Sequence, residues 1–235
     1  LINLFNKKIK DNDTNFLNKT LKELHPSDSA DIIENLALEN RSKLIELEGF
    51  NLEPEIFIEL NESIQTEIFL LLSIDSIANI LKHLESDNAL KILENLDENK
   101  KNTVLDKLSP KDRYILQEGL NSPEDSAARI MQREFAAIPS NWSVGQTIDY
   151  LRENKDLPED FLEIFIVDAN FKPIGTVASS KVLRTARDSI MNSIMKEMQV
   201  LIPVNMDKEE VGHVFENYNL VSAGVVDKNN KLVGM

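Results

Sequence analysis

The chain of 235 residues contains no cysteine, which excludes disulfides and thiolate metal centres. It has no run of about 18 apolar residues, so no segment reads as a transmembrane helix. The start, Leu1 to Lys10, is short, mixed and lysine-bearing, and does not read as a signal peptide. Seven scattered glycines are too few for a phosphate-cradling loop. Three isolated histidines, His25, His83 and His213, form no zinc or iron signature and are read as capping or solvent residues. No nucleophile elbow is present. Catalysis therefore has no support in the residues, and the chain is read as a non-enzyme.

Positive charge is also scarce. The net charge is −14 and the isoelectric point about 4.7, a field that repels nucleic acid and anionic lipid. The excess is concentrated. Between Glu23 and Glu98 there are 18 acidic residues against four basic ones, Arg41, Lys43, Lys82 and Lys91. A solvated helical surface would account for this. The sharper reading is neutralisation by a hard divalent cation, which takes carboxylate oxygens as ligands.

What is present is repetition. Leucines recur at 24, 36, 60, 72, 84, 96, 108 and 120, a step of 12 residues, with Glu48 in the remaining slot. Between them lie short helical patterns such as Ile77, Ile80, Leu81, Leu84 and Ala89, Leu90, Leu93, Leu96. Ser109-Pro110-Lys111-Asp112 and Ser122-Pro123-Glu124-Asp125 each read as an N-cap serine followed by proline at the first helical position. Asp75, Ser86 and Asp97 read as further starts. Pairs of such units make helical hairpins that stack along a common apolar stripe. The expectation is a lead-in helix over 1–20 and an all-α hairpin superhelix over 21–120.

After Asn121 the texture changes. Phe135 to Pro139 reads as extended, Ser143 to Arg152 as a capped helix, and Leu162 to Asp168 as a buried strand. A turn leads to a return strand, Ile174 to Ala178. The series then recurs as Val200–Val204, a helix from Lys208 to Asn217, Ser222–Asp227 and Lys231–Met235. Trp142 and Phe135 are read as packing residues where the domains join, Met131 and Met195 as core.

The duplicated unit resembles the CBS domain, with Ile130-Met131 then Ile138-Pro139 matched by Ile194-Met195 then Ile202-Pro203, and Val167-Asp168…Gly175 matched by Val226-Asp227…Gly234. The junction Ser122 to Met131 with Glu134-Phe135, and the opening Leu24 to Asp31, are similar to those of the MgtE family of magnesium channels. The expected fold class is thus multi-domain α and α/β, a helical-hairpin superhelix followed by a tandem CBS pair. The expected layout is a linker over 121–133, a first CBS domain over 134–193 and a second over 194–235, with Met235 inside its last strand, short of the connecting helix and membrane region that the family has.

The resemblance implies a cytosolic magnesium-sensing region at the cytoplasmic face of the inner membrane, a homodimer through the CBS pair, acting on its own transmembrane domain. It carries over Glu55 and Asp87 as metal-sensing acids of the helical domain, with Lys91 where a third acid stands. In the second CBS half it carries over Glu209 and, after Tyr218, Asn219 in place of an acid. CBS pairs that bind adenine nucleotides present a hydroxyl residue followed three positions later by aspartate. Here the stretch is Ala178-Ser179-Ser180-Lys181, so Mg2+ is the expected regulatory ligand and ATP is not expected. Two readings from other classes stand beside this: a nucleotide-binding CBS regulator, and a helical scaffold like that of the flagellar motor switch without cation dependence.

Overall fold

A computed structural model describes residues 1–49, 51–158 and 160–235. It divides into two units: Leu1–Leu84 with Asn88–Gln117, and Glu85–Asp87 with Glu118–Met235.

The first unit is helical. Two lead-in helices, α1 (Ile2–Lys10) and α2 (Thr14–Glu23), stand where the sequence suggests one. The break is local: Asn12 takes φ 52°, a left-handed conformation asparagine tolerates, and Asp13 caps α2 through its side chain. There follow α3 (Pro26–Glu34), α4 (Leu38–Glu48), α5 (Pro54–Glu59), α6 (Glu62–Leu71), α7 (Ile74–Lys82), α8 (Ser86–Glu94), α9 (Glu98–Lys107) and α10 (Pro110–Leu120). Apart from α5, the starts from α3 to α10 keep the 12-residue step. The repeated leucines lie just past helix ends: Leu60, Leu72 and Leu108 are extended C-cap residues, and these three together with Leu36 and Leu96 are buried at the bends.

In the odd slot, the buried Glu48 carboxylate instead accepts from Asn18 Nδ2 (3.1 Å) and Asn51 Nδ2 (3.3 Å). Helices pack on their second neighbours, α3 on α5, α4 on α6 and α7 on α9, as stacked hairpins require. The core runs through Phe5, Leu17, Ile33, Leu44, Phe57, Phe69, Ile77 and Leu90. Ser73, not Asp75, caps α7, because its hydroxyl reaches Ser76 N (3.1 Å). Asp97 caps α9, and His25 caps α3 through Nδ1, accepting from Ser27 N.

The second unit carries the duplication. Its first half contains β1 (Ala137–Pro139), α12 (Val144–Glu153), β2 (Glu163–Val167), β3 (Pro173–Ala178) and α13 (Ser179–Arg184). The second contains β5 (Leu201–Pro203), α15 (Lys208–Tyr218), β6 (Gly224–Val226) and β7 (Leu232–Gly234). In each half the first strand pairs parallel with the second, Ile138 opposite Ile166 and Ile202 opposite Val225, and the second pairs antiparallel with the third. The turns repeat too. Asp168 Oδ1 accepts from Asn170 N and Lys172 N, and Asp227 Oδ1 from Asn229 N and Lys231 N, all at 2.8–2.9 Å. In both, the backbone bond from the lysine, ahead of the asparagine's, holds the carboxyl below the usual range.

The lead-in segments are exchanged between halves. Ala127, Ala128 and Met131, from α11 (Ala127–Ile130) and its C-cap, pack with Ile202, Ala223 and Val225. Gln132 and Met235 exchange both backbone hydrogen bonds at 2.8 Å. Conversely, α14 (Met191–Ile194) and β4 (Lys196–Glu197) serve the first half: Met191 lies in its core and β4 pairs with β3. Ser122 does not cap a helix. Residues 123–126 close a turn, Ser126 N to Pro123 O (3.0 Å), and Asp125 pairs instead with Lys208 (2.5 Å), a tertiary partner that local propensity cannot show. Trp142 meets Tyr150 edge-on in the first-half core, not at a junction, whereas Phe135 meets the Phe165 ring in the cluster with Leu232 and Met235 where the two halves join.

Candidate functional site

The segment Glu85–Asp87 lies at the start of α8 and clusters with the second unit. Ser86, 4% exposed, fixes it. Its backbone N–H and its hydroxyl both donate to Glu134 Oε2, at 3.1 and 2.8 Å, and its Oγ accepts from Arg133 N at 2.9 Å. Serine and acids suit the first turn of a helix, where unpaired N–H groups and the dipole favour oxygen and negative charge.

The consequence is electrostatic crowding. Glu85 keeps an exposed edge, yet its carboxyl is pushed up, first by desolvation and then by Asp87, Glu134 and Asp160, against a lowering hydrogen bond from Gln132. Asp87 Oδ1 is buried and accepts no hydrogen bond. Arg133, next to Glu134 in sequence, places Nη1 on Glu118 at 2.8 Å, while its Nε is buried and, like Asp87 Oδ1, has no hydrogen-bond partner. A carboxylate oxygen held out of water without a donor costs about 1–3 kcal/mol or more. Cation binding removes that cost. Among the described residues no three His, Asp or Glu side chains form a ready cage.

Of the residues singled out from sequence, Asp87 alone lies in this cluster. Glu55 is exposed in the first turn of α5, in the helical unit. Glu209 is exposed in the first turn of α15, and Asn219 is that helix's left-handed C-cap, φ 50°. These two stand at opposite ends of an 11-residue helix, about 15 Å apart at 1.5 Å per residue, so they do not share an ion within one chain. Sequence reasoning missed Glu85, Glu134 and Asp160. Glu85 was legible as the neighbour of the serine that opens α8. Glu134 lies 48 positions from Ser86 and only folding brings it there. At the nucleotide-type stretch, Ser179 Oγ donates to Phe161 O (2.9 Å) and Lys181 Nζ to Ile194 O (2.6 Å), so both side chains are committed to backbone.

Comparison with known proteins places this arrangement. Residues 24–125 match the MgtE intracellular N domain and residues 127–188 the CBS domain. Curated relatives include the magnesium transporter MgtE of Enterococcus faecalis, 23% identical over 120 residues, and that of Thermus thermophilus, 24% identical over 128. Those stretches are 51% and 54% of this chain but 26% and 28% of the relatives, so the match spans about a quarter of their length. A crystal structure of the cytosolic domain of the Mg2+ channel MgtE in complex with ATP superposes with TM-score 0.89 at 24% identity, covering 100% of this chain and 96% of that one. The soluble part of a magnesium transporter gives 0.85 at 22% identity, covering 99% and 92%. At such identities the likeness establishes the fold. No described helix is long and apolar enough to cross a membrane. By its two domain matches in this order, the chain carries a segment similar to the MgtE intracellular N domain followed by a CBS domain.

Proposed function

We propose that this region senses magnesium for an MgtE-type channel at the cytoplasmic face of the membrane. The observation that carries the reading is the buried, unpartnered Asp87 Oδ1 beside Glu85, whose carboxyl is raised by desolvation and by Asp87, Glu134 and Asp160. When magnesium is plentiful, hydrated ions neutralise these carboxylates and hold acidic surfaces together, and a pore in a membrane region of the same polypeptide shuts. When magnesium falls, like charges repel and the pore is released. Glu55, Glu209 and Asn219 are proposed as further, weaker contacts. The sites are weak because few carboxylates contribute to each, which matches an abundant ion. The expectation that ATP does not bind has no support from the comparisons, because the cytosolic MgtE domain that superposes at TM-score 0.89 is an ATP complex.

The test is thermal melting with small-angle scattering, with and without about 10 mM magnesium at matched ionic strength. A site of Kd ~1 mM gives about 1.4 kcal/mol of stabilisation at that concentration, a rise of roughly 3–6 °C for units of this size. Asp87→Asn should raise the melting point without magnesium, by removing repulsion, and shrink the magnesium increment. An increment no larger than sodium produces, or one indifferent to Asp87→Asn, returns these acids to the role of plain surface.

We further propose that the chain dimerises through the CBS pair. The first half exposes Leu162 (70%) and Leu183 (74%) beside a groove lined by Ile148, Leu151, Phe161 and Val182. Leu183→Asp should convert the dimer to monomer in sedimentation at micromolar concentration. A monomeric parent chain at about 100 μM defeats the idea.

A further inference from the structure

Two buried atoms of opposite sign near Ser86 lack a hydrogen-bond partner: Asp87 Oδ1, an acceptor without a donor, and Arg133 Nε, a donor without an acceptor. Their backbones are already joined. Arg133 N donates to Ser86 Oγ at 2.9 Å, and Asp87 follows Ser86 directly. The Arg133 side chain is 9% exposed, so water has little access to its Nε–H. One bond between guanidinium and carboxylate would satisfy both groups, and a charge-assisted bond of this kind is among the stronger ones.

Glu118 stands against that pairing. In the last turn of α10, its Oε2 accepts from Arg133 Nη1 at 2.8 Å. The grip is a light one. The Glu118 side chain is half open to solvent, where an ion pair is worth little. Arg41 presents Nε and Nη2 to both oxygens of Glu67, whereas Arg133 meets Glu118 through Nη1 and leaves Nε unused.

We propose that Glu118 is a positioning residue that sets the magnesium threshold. It holds the Arg133 guanidinium off the acidic cluster; without that grip Arg133 turns to Asp87 and Glu134 and competes with magnesium as a tethered cation. This rests on the magnesium reading given above and adds its regulation. A cation carried on the same chain is present at high effective concentration. If it fills the site nine tenths of the time, the apparent Kd for magnesium rises about tenfold.

The test is a magnesium titration of the whole chain at fixed ionic strength, followed by the backbone amide shifts of Ser86, Asp87 and Glu134. Glu118→Gln should raise the midpoint about tenfold. Adding Arg133→Gln to that variant should bring the midpoint back to the parent value, since no competing cation remains. In magnesium-free buffer the Arg133 Nε–H resonance should move in Glu118→Gln, and magnesium should return it toward its parent position. An unchanged midpoint in Glu118→Gln overturns the proposal. So does a weakening that persists in the double variant, which is the mark of a structural loss. A parent without saturable shifts overturns the magnesium reading and the threshold with it. A parent that binds, with an Nε–H resonance that stays put in Glu118→Gln, overturns the arginine's role alone.

Discussion

Arg41→Ala should destabilise the helical unit by about 3–5 kcal/mol, the range for removing one partner of a buried ion pair. Arg41 is only 8% exposed. Its Nε and Nη2 donate to the two oxygens of Glu67, both at 2.8 Å, a bidentate fork. Nη1 turns to the end of α3, donating to Leu36 O (3.1 Å), Glu34 O (3.3 Å) and Ile33 O (3.4 Å). One side chain therefore satisfies the open carbonyls of a helix end and ties it to α6. Alanine leaves those carbonyls and the half-buried Glu67 without their donor.

A pH signature should accompany the loss. The hydrogen bond from Arg41, against some desolvation, holds the Glu67 carboxyl below its ordinary value. Its contribution is thus fully present above the unfolded glutamate pKa of about 4.3. It is lost as pH falls through the lower folded value. Urea melts from pH 7 to pH 3 should show this acid loss in the parent and a flatter profile in Arg41→Ala. A loss under 1 kcal/mol at neutral pH would mean that water replaces the guanidinium at no cost.

Phe165→Ala should cost the second unit about 3–5 kcal/mol, as large-to-small changes in a tight core do. Phe165 lies at the centre of β2, between β1 and β3, and is fully buried. It clusters with Val167 and with Leu232 of the other half, and the Phe135 ring meets it edge-on at 6.2 Å. A Cβ placed on Gly224 would sit 3.3 Å from its ring, so the halves close on this side chain without slack. Calorimetry should show the second unit's transition displaced downward by about 10 °C. Phe165→Leu, which fills most of the space, should recover over half of the loss. An unchanged transition in Phe165→Ala would show that the two halves are not held through this ring.

Much of this fold was legible because the repeat is short and its punctuation is chemical. The 12-residue leucine step marks helix ends, and Asp97, Ser109 and Pro110 mark starts, so α9 and α10 follow from local rules. The strand pairs ending at Asp168 and Asp227 were equally plain, since each aspartate closes its own turn through neighbouring N–H groups. The failures share one cause. Ser122 resembles a cap, but Asp125 is drawn to Lys208 and the segment turns instead. α14 and β4 carry no strong periodicity, and β4 is two residues long. The site was read only in part. Asp87 followed from the family resemblance, whereas Glu134 and Asp160 face Glu85 through space alone.

The sequence by itself determined the helical array, the duplicated strand pairs and the acidic bias, because helix ends, turns and net charge depend on neighbours within a few positions. Tertiary structure decided which half each lead-in segment serves, how Arg41 closes α3, and which carboxylates crowd Glu85. Those outcomes depend on contacts between residues tens of positions apart, where desolvation and Coulomb energy are set by distance in space and not along the chain.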